Sequence, residues 1–200
     1  MSETIQVPGI GAPFEWKNMP AGWQSTASEL TIESGAETNW YVSPVDGETH
    51  ASGPLLLFRP VGDFVLTAKV TLDIRTQWDA GCLMVYADDE TWAKFALEIS
   101  AYQEPTIVTV VTRGVSDDCN STPIAGNSVH LRVARIGAAI IFYAALDGRT
   151  WKLVRAFTLG TPTDLRVGFG SQSPIGQSVN ATFSEIAYEQ KTITDIFAAE

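Results

Sequence analysis

Cysteine and histidine are scarce in this chain, with two of each among 200 residues. A zinc centre needs several such ligands at short spacing, and neither His50 nor His130 has a second His or Cys close by, so the sequence offers no zinc motif. Cys82 sits in an apolar run, Gly81 to Tyr86, whereas Cys119 lies in a polar stretch. Two thiols in such unlike settings read as free cysteines of a reducing compartment, which gives a cytoplasmic location as the expectation. Basic residues are also few, with 13 Lys and Arg against 23 Asp and Glu and a net charge of −10. Nucleic acids and anionic membrane surfaces are held by clustered Lys and Arg, so neither is expected as a partner, while a neutral or cationic partner fits. No run approaches the roughly 18 apolar residues of a membrane helix, and Met1-Ser2-Glu3-Thr4 lacks the basic start and apolar run of a secretory leader. Calcium would find hard oxygens at Asp88-Asp89-Glu90 and Asp117-Asp118, but the spaced Asp-x-Asp-x-Asp-Gly loop is missing. No metal ligands are therefore assigned, and no cofactor is expected. There is no Gly-x-Ser-x-Gly nucleophile elbow, and Gly168-x-Gly170 falls in a strand with no helix after it to cradle a phosphate.

What is present is strand language. Apolar and β-branched runs recur between Gly, Pro, Asp and Asn, as in Asp63 to Asp73, Ala80 to Ala87, Trp92 to Ser100, Thr106 to Thr112, Val129 to Ile136, Ala138 to Leu146 and Ala181 to Gln190. At least eight strands and no long helical pattern predict an all-β antiparallel sandwich in one domain over residues 1–200. Pro8, Pro13 and Pro20 make residues 1–24 a wrapping segment, and the tail at 191–200, from Thr192 on, is expected to form a short helix.

Alternation separates the faces. In Trp92 to Ser100, Ala93, Phe95, Leu97 and Ile99 form an apolar set for the core, which turns Trp92, Lys94, Ala96, Glu98 and Ser100 outward. An aromatic, a cation and a carboxylate on one face is the mixture that ligand sites use. Thr106 to Arg113 is apolar on both faces and leaves its orientation open; the stretch after it, Arg113 to Asp118, reads as a loop with one cation and two carboxylates. Asp147-Gly148 between apolar runs predicts a tight hairpin turn.

Several blocks resemble the DUF1349 family of the concanavalin A-like lectin/glucanase superfamily. They are Asp79 to Asp88 followed by Trp92-Ala93-Lys94-Phe95, Val110 to Asp118, Asn39 to Pro44, Gly62 to Val70, the Asp147-Gly148 hairpin and Gln172-Ser173-Pro174, covering about Trp16 to Tyr188. The resemblance implies a jelly-roll of two curved antiparallel sheets whose concave face binds glycans in better-known superfamily members. Relatives often carry Asp before the first Trp, where this chain has Asn39, which removes one candidate acid or metal ligand.

Three functions follow as expectations. In the first, a non-catalytic module binds a carbohydrate or similar polar ligand on the concave face. Trp92 stacks on the sugar, Lys94, Glu98, Arg113, Asp117, Asp118 and Gln172 supply hydrogen bonds, and Tyr143 and Trp40 are further platforms. In the second, implied by a family member named for the regulation of a metabolic enzyme, the domain binds a protein partner. In the third, a glycoside hydrolase uses Glu98 with Asp117, Asp118 or Asp79 as the second carboxyl, although no Glu-x-Asp-x-Glu run marks a catalytic strand.

Overall fold

The computed structural model describes residues 5–200, so the first four residues of the wrapping segment lie outside the described residues. In chain order the strands are β1 (Glu15–Lys17), β2 (Gly22–Ser25), β3 (Glu29–Glu33), β4 (Trp40–Val42), β5 (Thr49–Ala51), β6 (Leu55–Phe58), β7 (Phe64–Leu72) and β8 (Ala80–Asp88). They continue with β9 (Thr91–Ile99), β10 (Pro105–Arg113), β11 (Val115–Pro123), β12 (Ser128–Ile136), β13 (Ala139–Ala145), β14 (Lys152–Thr158), β15 (Arg166–Gln172) and β16 (Asn180–Glu189). The front sheet runs β1-β6-β15-β8-β9-β10-β11 and the back sheet β14-β13-β12-β7-β16-β3-β2, with β4-β5 as a separate two-stranded ladder. The strand pairs are antiparallel in both sheets. This is the concanavalin A-like β-sandwich that the strand pattern and the resemblance led to.

The back sheet shows why alternation is readable. Along β7, Phe64, Leu66, Ala68, Val70 and Leu72 enter the core while Thr67, Lys69 and Thr71 stay half-buried on the other face. From the front sheet, β9 sends in Ala93, Phe95 and Leu97, and Phe95 stacks on Phe142 of β13 with ring centroids 4.6 Å apart. The N-terminal segment clips the two layers together. Val7, Ile10 and Phe14 are buried in the core, β1 then adds to the front sheet beside β6, and β2 adds to the back sheet beside β3.

The front sheet is buried on both faces, which explains the two apolar sets of β10. Leu55, Leu57, Met84, Tyr86, Trp92, Val108 and Val110 form a second core beneath Trp40. Residues 34–53, which contain the β4-β5 ladder, lie across this outer face. Trp40 meets Tyr86 and Trp92 edge-on at 5.7 Å, its indole N–H donates to Gly53 O at 2.7 Å, and Val42 N donates to Ser116 Oγ at 2.9 Å.

Three local expectations are corrected. Asp117 and Asp118 lie in β11, not in a loop, because the chain reverses at Gly114, whose φ of 75° suits a tight turn. The Asp147-Gly148 hairpin forms, β13 pairing antiparallel with β14, but its connection is longer than two residues: 146–151 separate the strands, and the Asp147 carboxylate accepts from Arg149 N, Thr150 N and the Thr150 hydroxyl. The tail after Thr192 is a closed turn and not a helix. It buries Ile193 and Ala199 on the outer face of the back sheet.

Gly168, in β15 between β6 and β8, tests this packing, since a Cβ there would collide with the Leu56 carbonyl oxygen. Gly168→Ala is expected to lower stability by about 3 kcal/mol or more, whereas Gly11→Ala, where nothing lies within 4 Å, is expected to change it by less than about 0.5 kcal/mol. Urea unfolding of the two variants measures the difference.

Candidate ligand-binding site

The segment over the front sheet leaves part of the outer face open. A pocket of about 290 Å³ remains there, lined by Asn39, Tyr41, Trp78, Lys94, Glu98, Asp118, Gln172 and Pro174. Strand register assembles its floor. Lys94 pairs across Val110 to Asp118 on one row, and Glu98 pairs with Ala80, itself opposite Gln172, on another. Between the rows stand Cys82 and Ala96, whose small side chains leave room. A wider depression of about 650 Å³ adjoins it, sharing Asn39, Trp78 and Pro174 and adding Glu37, Glu48, His50 and Ile175.

Trp78 is the exposed aromatic of the site, 39% accessible, and it stands between the two hollows. Its backbone is left-handed, with φ 66°, a region that costs an L residue roughly 1–2 kcal/mol. Asp79 fixes that turn from beneath: its carboxylate accepts from Thr76 N at 2.8 Å and from Ser173 Oγ at 2.7 Å, while Trp78 N donates to Ile99 O. Burial pushes the Asp79 carboxyl up against these hydrogen bonds. This side chain holds the turn and does not reach the pocket.

Lys94 is 3% exposed, and its ammonium donates to Gln172 Oε1 at 3.0 Å and to Trp40 O at 3.3 Å. Glu98 Oε2 lies 3.7 Å from Lys94 Nζ, too long for a hydrogen bond. Desolvation pushes the Glu98 carboxyl up to about 7, outweighing the attraction of Lys94, and the Asp118 charge adds to the rise. Asp118 is solvent-exposed at the mouth on the edge strand, yet crowding by the surrounding protein raises its carboxyl too. The Cys82 thiol on the floor is pushed up to about 12 by burial, so it stays protonated and unreactive.

The residues expected to form the site divide accordingly. Lys94, Glu98, Asp118 and Gln172 come together in the pocket. Trp92 and Trp40 do not present a stacking face, because they are 0% and 1% exposed and pack on each other. Tyr143 belongs to the back sheet, where it is buried under the C-terminal tail and its hydroxyl donates to Ile196 O. Asp117 faces away from Asp118, as neighbours in a strand must, and pairs with Arg155 at 2.8 Å. Arg113 is exposed and donates to Thr158 O. Asp88, Asp89 and Glu90 serve a turn, in which Asp89 accepts from Lys17 and Tyr86. Among the described residues no group of three or more His, Cys, Asp or Glu is arranged to hold a metal ion. Sequence reasoning missed Trp78, Tyr41 and Pro174. A lone tryptophan in the polar connection Arg75-Thr76-Gln77-Trp78-Asp79, with no strand partner to pack on, was the available signal.

The two packed antiparallel sheets define a jelly-roll-like β-sandwich. The chain belongs to the DUF1349 family, described as a protein of unknown function, whose model matches residues 16–191. It is 28% identical over 173 residues to Regulation of enolase protein 1 of Saccharomyces cerevisiae, covering 85% of this chain and 86% of that protein. A functionally unknown protein from Saccharomyces cerevisiae superimposes with a TM-score of 0.83 and 25% identity, over 90% of this chain and 97% of the other. The fold also recurs in the carbohydrate binding module CBM66 from Bacillus subtilis, with TM-score 0.56, 16% identity and 88% and 95% of the two chains covered. A GH43 protein from Bacillus licheniformis matches with TM-score 0.72 and 14% identity over 88% of this chain, which spans only 36% of that larger one.

Glu98 carries a pH signature. Its folded-state carboxyl near 7 lies above the ordinary 4.5, so the folded form holds the proton more tightly. The contribution of Glu98 to stability is full below about 4.5 and is lost as pH rises through about 7. Glu98→Gln removes that loss: thermal melts should coincide with the parent at pH 4.5 and lie roughly 5 °C higher at pH 8.

Proposed function

We propose that this protein is a carbohydrate-binding module that holds a sugar in the Trp78 pocket without transforming it. The observation that carries the reading is an exposed indole, held in a strained backbone, beside a buried cluster of hydrogen-bonding groups. Trp78 offers the flat apolar face of a stacking platform, and Asn39, Tyr41, Asp118 and Gln172 offer the donors and acceptors that ring hydroxyls need. The sandwich shared with CBM66 supports the architecture. The buried Cys82 and exposed Cys119, both free, support a reducing, cytoplasmic setting.

Titration with a panel of mono- and oligosaccharides, followed calorimetrically, tests the proposal. Saturable binding is expected, with at least tenfold loss in Trp78→Gly. That variant should remain within about 1 kcal/mol of the parent in stability, because glycine accepts the left-handed turn that tryptophan strains. Binding unchanged by Trp78→Gly would remove the stacking platform from the proposal.

A second reading, glycoside hydrolysis, draws on the Glu98 carboxyl near 7 in a pocket that also contains Asp118, since a general acid needs such a value and a second carboxyl must flank the bond. A panel of aryl glycosides separates the readings: no release of aglycone is expected, and release abolished by Glu98→Gln would establish hydrolysis instead. A regulatory protein partner is supported only by the name of the yeast relative.

A further inference from the structure

The pocket is short of positive charge. Glu98 and Asp118 face it against one ammonium, Lys94. That ammonium is largely occupied: two of its three donors go to Gln172 Oε1 and Trp40 O, the Glu98 carboxyl lies 3.7 Å away, and the side chain is only 3% exposed. The other nearby cations are turned away, Arg155 to Asp117 and Arg113 to Thr158 O. Glu98 is in the opposite position. Its side chain is 9% exposed and lines the pocket, and among the described residues it accepts no hydrogen bond, with Lys94 Nζ at 3.7 Å. A buried carboxyl with unfilled acceptor sites next to a cavity is a group waiting for a donor.

We propose that the pocket selects a sugar carrying a protonated amine, the ammonium sitting between Glu98 and Asp118 while the ring lies against Trp78. The inference rests on the carbohydrate-binding reading and names the class of sugar. An ammonium supplies the missing charge and the missing donors together. The aromatic walls, Trp78 and Tyr41, attract a cation through their ring faces, whereas they give no such help to an anion. Beyond Trp78 the wider hollow adds Glu37 and Glu48, with His50 placed 3.4 Å from Glu48, so the acidic character continues outward.

The groups that face Glu98 from the elements around it fit this picture. β9 itself supplies Lys94, β11 supplies Asp118, β8 supplies the protonated Cys82 thiol, and β15 supplies the neutral Gln172. Opposite Glu98, β10 places Thr106, which carries no charge, and β4 contributes Tyr41 to the pocket wall. The raised carboxyl of Glu98 is what a negative site lacking its counterion would show.

Calorimetric titration of the full chain at pH 7 with glucosamine, glucose and N-acetylglucosamine tests the proposal, because the three share a ring and only the first is cationic. Glucosamine is expected to bind at least tenfold more tightly than the other two. The preference should fall below threefold in Glu98→Gln, and also in Asp118→Asn, an exposed position whose substitution leaves the core intact. Equal or tighter binding of glucose or N-acetylglucosamine overturns the selection for an amine while leaving carbohydrate binding in place. A glucosamine preference that persists in both variants overturns the assignment of the ammonium to these carboxyls. Failure of these three sugars and of the wider saccharide panel to bind at tens of millimolar overturns the carbohydrate reading itself, and this inference with it.

Discussion

The contact on which the front of this molecule depends is the edge-on seating of Trp40 against Trp92 and Tyr86. Without a cover, the outer face of the front sheet would expose Leu55, Leu57, Met84, Val108 and Val110 as one apolar patch. Trp40 closes that patch with residues distant in sequence, and its indole hydrogen bond to Gly53 O fixes both ends of the covering segment at one point. The fit is close enough that a Cβ on Gly53 would sit 2.8 Å from the Trp40 ring. The covering segment leaves a gap above Glu98 that its own Asn39 and Tyr41 wall, and that gap is the pocket. The same Trp40 also gives its carbonyl to the Lys94 ammonium, which ties the seating of the cover to the charge in the floor.

How much of this was readable in the chain depended on whether neighbours along a strand or neighbours across the fold decide the outcome. The alternation in β9 placed Lys94 and Glu98 on one face and Phe95 and Leu97 on the other, and both assignments follow from the period of a strand. Alternation states which face a side chain takes and is silent on whether that face is open. Trp92 therefore read as a platform, although a segment some fifty residues earlier buries it. β11 was missed because its residues, Ser116 to Thr122, are polar on both faces, as a sheet-edge strand can be. Trp78 was missed for a different reason. Its exposure is imposed by a turn held from below by Asp79 and Ser173, two partners that come together only in the fold.

Charge has a different meaning at the two scales. Spread over the surface, the net charge of −10 sets up a field that disfavours polyanions. In the pocket the same sign becomes specific, because Glu98 and Asp118 are partly desolvated and their field is less screened than that of a surface carboxylate. In the floor Cys82 and Ala96 add no charge, which leaves Lys94 as the one cation among the described residues that line the pocket.

The pair formed by Asp117 and Arg155 has a consequence for how copies of this protein meet. The N-terminal clip occupies one end of each sheet, which leaves β11 and β14 as the opposite ends. Free strand edges are templates for adding strands from another molecule. Here Arg155 of β14 reaches Asp117 of β11 and joins the two free ends across the interlayer gap. Two copies approaching through β11 would bring carboxylates against carboxylates, and two approaching through β14 would bring Lys152 and Arg155 against their own kind. One ion pair thus serves as a seam along the open side of the sandwich, and it leaves unlike charges on the two edges, an arrangement that disfavours the pairing of like edges.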